Sequence, residues 1–387
     1  MSQVREPQPP PDEAPRASAT PRPAADPGGL ARGSRTIPVL PGELADVDVR
    51  GVVRPEPWSR KLLRRAITVP LLIVFTAVWW AASPVVLPVL IVADLIRRRP
   101  LLWTRFYVMI GTIVFGQTWG VFLMLGIWIG SGFGRSWRRA NRWMMRAEAY
   151  WADWNKRWMG HIYGITYVIE GSEVLRDGPT IMLTRHASIN DTILPIALIT
   201  TPHRVRLRIV LKAELLSVPV VDLMGHIVPT AFVRRNTGQP ERELEACRAL
   251  TRDLHAQETI MIFPEGTRFT PERRAAILAK LQTKDPAAAA QAESLAHVLP
   301  LRLGGTHALI DGAPHADLVF CAHTGYEDSA TLADFVRGGL YRTTVRVKFW
   351  RVPAASVPTD HAARADFLHA EWRKVDDFIA AHRARRN

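Results

Sequence analysis

Cysteine is nearly absent from this chain. Cys247 and Cys321 are the only two in 387 residues, which excludes a disulfide framework and a thiolate metal cluster and fits a reducing, cytosol-facing compartment. No Gly-x-Ser-x-Gly elbow occurs, so a serine-nucleophile site of that kind is excluded. Glu214, Asp222 and His226 are near one another in sequence, but their spacing matches no metal-ligand signature. No metal and no cofactor is assigned. Acidic residues are in deficit: 36 Asp and Glu against 50 Lys and Arg, a net charge of +14. Such a balance suits nucleic acid, an anionic membrane surface or acidic substrates. Many of the arginines flank apolar segments and no nucleic-acid recognition module is present, which favours the membrane over nucleic acid.

What is present divides the chain into unequal parts. Residues 1–57 are rich in Pro and Ala and lack apolar periodicity; they cannot bury enough surface to offset chain entropy and read as a disordered tail. Residues 58–134 hold two hydrophobic membrane segments, at 66–93 and 107–129, each long enough to cross a hydrocarbon core of about 30 Å. The first begins too late for a cleaved signal peptide, and Pro84 and Pro88 are expected to break it. Basic residues lie before, between (Arg97, Arg98, Arg99, Arg105) and after the segments. Two crossings would put the middle cluster outside, against the positive-inside tendency. A hairpin that dips into one leaflet and returns avoids this, and both arrangements stay open.

Residues 135–164 read as a basic helix with Trp143, Ala147, Trp151, Trp154 and Trp158 on one stripe. Trp and Arg together suit the headgroup layer; packing on the helix's own domain is the other reading. Residues 165–356 change to short β-branched runs at 167–170, 180–184, 206–211, 227–233, 259–263, 298–303, 318–322 and 344–350, with helices at 192–199, 240–255 and 271–296. This alternation predicts an α/β fold, a mixed central sheet flanked by helices and preceded by the N-terminal hydrophobic membrane helices. Residues 357–387 form a C-terminal amphipathic helix with Phe367, Leu368, Trp372, Val375, Phe378 and Ile379 on one face.

Chemistry concentrates in two motifs. His-x4-Asp occurs three times, at His186/Asp191, His323/Asp328 and His361/Asp366. The first pair follows an apolar strand and precedes a helix, and strand ends of α/β sheets are where sites are built. Five residues is a poor contact spacing on a regular helix. His186 therefore belongs on the turn, with Asp191 in the first helical turn, where the carboxylate can fix the imidazole tautomer and leave the other nitrogen as a base. A His that merely caps the helix is the competing reading. The second motif, Phe263-Pro264-Glu265-Gly266-Thr267-Arg268, ends the strand at 259–263. Gly266 permits a tight turn with exposed N–H groups, Arg268 offers a fork matched to phosphate, Thr267 can donate to an oxygen and Glu265 can accept from a hydroxyl.

With both motifs in this order, residues 165–355 resemble the glycerolipid acyltransferase family, which includes lysophosphatidic acid acyltransferases. His186 and Asp191 match its first block. Phe232-Val233-Arg234-Arg235 resembles the second and puts Arg235 on the phosphate-binding arginine. Residues 263–268 match the third, and His297-Val298-Leu299-Pro300 is similar to the fourth. Arg185, Arg234 and Phe269 depart from the Asn, acidic or neutral, and small residues common there; the added charge points to a more anionic acceptor.

The resemblance implies an O-acyltransferase of phospholipid biosynthesis. His186, oriented by Asp191, would deprotonate the hydroxyl of a lysophosphatidate for attack on acyl-CoA or acyl carrier protein. Arg235 and Arg268 would hold the acceptor phosphate, with Glu265, Gly266 and Thr267 positioning it and Pro300 shaping the acyl or thioester pocket. The expected partners are the acyl donor, a lysophospholipid acceptor and membrane lipid, at the cell membrane with the catalytic domain on the cytoplasmic face. Glycerol 3-phosphate, another lysophospholipid or a glycolipid are alternative acceptors. A non-catalytic, basic lipid-binding scaffold is the alternative of another class.

Overall fold

The computed structural model describes residues 56–387 other than 177, 189, 190, 192, 204, 235–239, 330 and 384–387. Nearly all of the N-terminal tail, residues 1–55, therefore lies outside the described residues.

The first apolar segment forms α1 (Trp58–Ile96), a 39-residue helix that runs through Pro70, Pro84 and Pro88. The expected break does not occur, because each proline withdraws one N–H and an apolar helix of this length keeps the rest of its ladder. The second forms α2 (Leu102–Gly130). Asp94, fully buried, ties the two together by accepting the amide N–H and the hydroxyl of Thr104, each at 2.9 Å. Both helices are long and apolar enough to cross a membrane.

Neither helix stands clear of the rest of the chain. Leu102, at the start of α2, packs against Gly338, and Arg105 donates to the carbonyl of Ile162. Toward the far end of α2, Val121, Met124 and Ile127 join Val220 and Met224 in one apolar cluster. Arg64 and Arg65, near the start of α1, reach the carboxylate of Asp222 at 2.8 and 2.9 Å.

The Trp-rich stretch is α3 (Trp137–Tyr163), which buries Ala140, Met144, Met145, Ala149, Ala152 and Met159. Packing on its own domain is therefore what α3 does. Trp143 and Trp154 turn the other way, onto α2, where Gly130 and Gly116 leave the space their rings need: a Cβ at either glycine would stand 2.7 or 2.6 Å from a ring carbon.

Seven strands follow among the described residues: β1 (Thr166–Glu170), β2 (Thr180–Thr184), β3 (Arg206–Lys212), β4 (Thr230–Val233), β5 (Glu258–Ile262), β6 (Asp317–Thr324) and β7 (Thr344–Val352). They form a mixed sheet in the order β1-β7-β6-β2-β5-β3-β4, parallel at every neighbour except β6 with β7. β2 and β5 are buried at every position, as expected of central parallel strands covered on both faces. One cluster packs α4 (Ile193–His203) and part of α3 on one face. The other holds α6 (Pro240–Ala249), α9 (Leu303–Gly312) and α11 (His361–Arg383). Between these come α5 (Pro219–Met224), α7 (Pro271–Lys284), α8 (Pro286–Glu293) and α10 (Leu332–Arg337). The single helix expected at 271–296 is two, because Pro286 begins α8 and the Asp285 side chain caps it on Ala288 N–H. Leu368, Trp372, Val375 and Ile379 of α11 are buried, as their spacing predicts.

An eighth strand expected at 298–303 is absent. Its amides are taken by side chains rather than by a ladder: Val298 N–H donates to Asp376 and Leu299 N–H to Glu265, while the Leu299 carbonyl accepts from Trp372 Nε1. Pro300 has no N–H to offer a ladder.

Candidate active site

The central parallel strands deliver their following residues to one edge of the sheet. His186 comes two positions after β2, Arg234 directly after β4 and the turn 263–268 directly after β5. Lys212 is the last residue of β3. This carboxyl edge is where open α/β sheets place their ligands.

His186 lies on the turn before α4 and Asp191 just ahead of that helix. Nδ1 of His186 and Oδ2 of Asp191 are 3.1 Å apart. The same oxygen accepts the amide of Ser188 at 2.6 Å and that of Ala187. The Asp side chain thus closes the turn on itself and turns the imidazole, leaving Nε2 as the nitrogen available to a substrate. Asp191 is fully buried. Burial works against its charge, but His323, His186 and the Ser188 amide outweigh it and hold the carboxyl below its ordinary range. It is therefore ionised, as an orienting carboxylate must be. The His186 ring is partly exposed and rests on Phe263, centroids 4.4 Å apart.

The second motif is bolted to the first. Glu265 Oε1 accepts the His186 amide at 2.7 Å, and the His186 carbonyl accepts the Phe269 amide at 2.7 Å. Glu265 Oε2 accepts the Leu299 amide at 2.8 Å, so one carboxylate joins the first, third and fourth motif segments. Glu265 is fully buried and faces away from the cleft, unlike a residue that accepts from a substrate hydroxyl. Burial raises its carboxyl, opposed by the two amides and Arg185, and because each oxygen accepts an N–H the group is held as a carboxylate.

A cleft of about 690 Å³ opens beside His186. Its lining includes Gly266, Thr267 and Arg268 from the turn and the additional cations Lys212, Arg234, Arg273 and Arg302. Gly266 has φ +68°, and a Cβ there would meet Arg302 Cδ at 2.8 Å. Pro300 is outside the lining, in the extended stretch that carries Arg302. Arg235, assigned to the phosphate from the second block, lies outside the described residues. Glu214 pairs with Lys212 at 3.5 Å while Asp222 pairs with His226 at 3.1 Å, and among the described residues no cluster of His, Cys, Asp and Glu is arranged to hold a metal.

Arg185 corrects one expectation. It adds no charge to the cleft: its side chain is fully buried, paired with Glu327, and donates to the carbonyls of His323 and His297 at 2.8 and 3.0 Å. Arg185 pulls the Glu327 carboxyl down to about 2 despite burial. Phe269, another departure from the family pattern, lies under the same guanidinium at 5.9 Å. The two unusual residues are neighbours and fill one another's space. Of the three unusual positions, only Arg234 faces the cleft.

Arg273 and Arg302 carried no flag in the sequence, although Arg273 opens the helix after the third motif and Arg302 follows Pro300 by two positions. His323 carried one, as the first residue of the second His-x4-Asp pair. That pair does not act as a unit: Nε2 of His323 lies 3.7 Å from Oδ1 of Asp191, the partner from the first pair.

Residues 166–304 match the family model described as Acyltransferase. Among solved structures the chain is similar to the 1-acyl-sn-glycerophosphate (LPA) acyltransferase PlsC from Thermotoga maritima, at 16% sequence identity and TM-score 0.46, over 72% of this chain and 95% of that one. No curated protein matches the chain.

Proposed function

We propose that this chain transfers a fatty acyl group from an acyl thioester to the hydroxyl of a lysophosphatidate at the cytoplasmic face of the cell membrane. One observation carries the reading: an imidazole backed by a buried, ionised carboxylate at 3.1 Å opens onto a cleft that also presents Arg268 and a positive-φ glycine turn.

The chemistry follows from those positions. Nε2 of His186 takes the proton of the acceptor hydroxyl as its oxygen attacks the thioester carbonyl. The Asp191 carboxylate stabilises the imidazolium that forms. The carbon–sulfur bond then breaks, the ester is released, and the thiolate recovers the proton from His186. Arg268 and the 266–267 amides hold the acceptor phosphate; Arg235 joins them on the family pattern alone. Such a base contributes about 10² to 10⁴ in rate.

The membrane part of the proposal is a hairpin lying in one leaflet. α1 would extend about 58 Å at 1.5 Å per residue, nearly twice a hydrocarbon core of about 30 Å. Its start is tied to Asp222, and α2 is packed on the same domain near both ends. A hairpin so fastened keeps the basic residues 97–99 and 105 on the side of the catalytic domain, in line with the positive-inside tendency. Trp158, exposed on α3, would then meet the headgroup layer.

The test is purified full-length protein in phosphatidylglycerol vesicles, with labelled acyl-CoA or acyl carrier protein and a panel of acceptors: lysophosphatidate, glycerol 3-phosphate, other lysophospholipids and a glycolipid. Fastest transfer to lysophosphatidate, with an Arg268→Ala variant whose KM for it rises about tenfold, as expected for losing a charge-assisted hydrogen bond, supports the reading. Lipid binding without transfer to any acceptor rejects it in favour of a scaffold.

A further inference from the structure

Behind Asp191, on the side away from the cleft, is a second histidine that the mechanism above does not use. His323 is the seventh residue of β6, which pairs in parallel with β2 through Thr184 and Cys321. Its side chain therefore reaches past the end of β2, into the turn that carries His186. The ring is almost wholly buried.

Its contacts are specific. Nε2 of His323 donates to the carbonyl oxygen of Arg185 at 3.0 Å. A carbonyl can only accept, so Nε2 carries a proton; burial lowers the His323 pKa and favours the neutral ring, in which Nδ1 is bare. Arg185 answers with its guanidinium on the carbonyl of His323 at 2.8 Å. The carbonyl of Arg185 belongs to the peptide unit whose N–H is that of His186, and this N–H is held by Glu265 at 2.7 Å. The peptide plane before His186 is thus gripped at both ends, by His323 on its oxygen and by Glu265 on its nitrogen. Rotation of that plane would swing the imidazole away from the cleft.

The same N–H edge also faces Asp191. Oδ2 of Asp191 collects His186, Ala187 and Ser188. Oδ1 receives no hydrogen bond among the described residues, and Nε2 of His323 lies 3.7 Å from it. The positive edge of the imidazole therefore backs the oxygen that the turn leaves over, and Oδ2 stays aimed at His186.

We infer that His323 is a positioning residue for the His186–Asp191 pair, acting through the Arg185–His186 peptide and through Asp191 Oδ1 without touching substrate. The inference rests on the reading of His186 as the general base. Displacement of a reacting group by about 1 Å can cost about 10²-fold in rate, so a device that fixes this plane affects turnover rather than substrate binding.

Three substitutions in the full-length protein test it. In His323→Gln the amide nitrogen reaches the place of Nε2 and keeps the bond to Arg185. In His323→Asn it stops at the place of Nδ1 and loses that bond. His323→Leu removes the donor while keeping an apolar volume. The expected result is that H323Q retains kcat within about threefold, while H323N and H323L lose about 10- to 100-fold in kcat with KM for lysophosphatidate and for acyl donor unchanged. Should H323L fail to fold, the comparison of H323Q with H323N decides alone. Equal kcat for those two, or a loss confined to KM, overturns the positioning role while leaving the general base intact. A wild type that transfers no acyl group overturns the reading of His186 itself, and this inference with it.

Discussion

Glu265 and His186 are joined through the backbone: the buried carboxylate of one accepts the amide N–H of the other at 2.7 Å, and its second oxygen holds Leu299 at 2.8 Å. The Glu-Gly-Thr-Arg turn is therefore a brace for the base as well as a candidate anion cradle. In Glu265→Gln one acceptor oxygen remains and the amide NH₂ is driven against an N–H donor. A loss of about 1–3 kcal/mol in stability is expected, with kcat falling too. Denaturant unfolding and steady-state kinetics measure both; a variant unchanged in each would show that the brace is dispensable.

His186→Gln separates chemistry from folding. The side chain is partly exposed at the cleft, so the fold should survive with its unfolding midpoint little changed, while kcat falls by at least about 10². Undiminished turnover would remove His186 from the mechanism.

Gly266→Ala strains the cradle in two ways. At φ +68° a Cβ costs about 1–2 kcal/mol, and it would stand 2.8 Å from Cδ of Arg302, displacing a cation of the cleft. Lower stability together with a raised KM for the phosphorylated acceptor is the expected pair of effects. A raised KM for the acyl donor alone would assign this turn to the other substrate.

Glu148 gives a pH signature. It is buried in α3, and desolvation raises its carboxyl from 4.5 to about 7, with Arg206 pulling the other way. The folded chain therefore holds a proton that the unfolded chain releases between those values. This group's contribution is full below about pH 4.5 and is lost as pH rises through 7. Relative to Glu148→Gln, which stays neutral, the wild type should lose on the order of 3 kcal/mol across that window. Unfolding curves at half-unit pH steps measure it, and a difference that does not vary with pH would refute the assignment.

The hairpin can be located directly. A glycosylation acceptor inserted beside Arg98, expressed where the lumenal machinery acts, should remain unmodified if the connection stays on the side of the catalytic domain. Modification would mean two full crossings.

Much of the site was legible in the chain because it is local. The five-residue offset from His186 to Asp191 requires a turn, and the turn is there, closed by the Asp191 carboxylate on the Ser188 amide. The roles of individual residues were less legible. Glu265, read as a ligand for substrate, faces inward; Arg185, read as added charge, is neutralised by Glu327. Both depend on partners far along the chain, Leu299 and Glu327, whose proximity no local pattern encodes. The stretch 298–303 has the β-branched and apolar look of a strand, but Glu265, Asp376 and Trp372 take the bonds a strand would need.

By itself the sequence determined the elements whose periodicity is strong: the apolar helices, the central buried strands, the C-terminal helix and the two motifs at strand ends. Those follow from the spacing of apolar side chains and from turn chemistry, which act over a few residues. Only the tertiary structure decided which polar groups face solvent and which lock the scaffold. Each buried donor and acceptor must find a partner, and for His186, Asp191 and Glu265 those partners come from strands and loops brought together by the sheet.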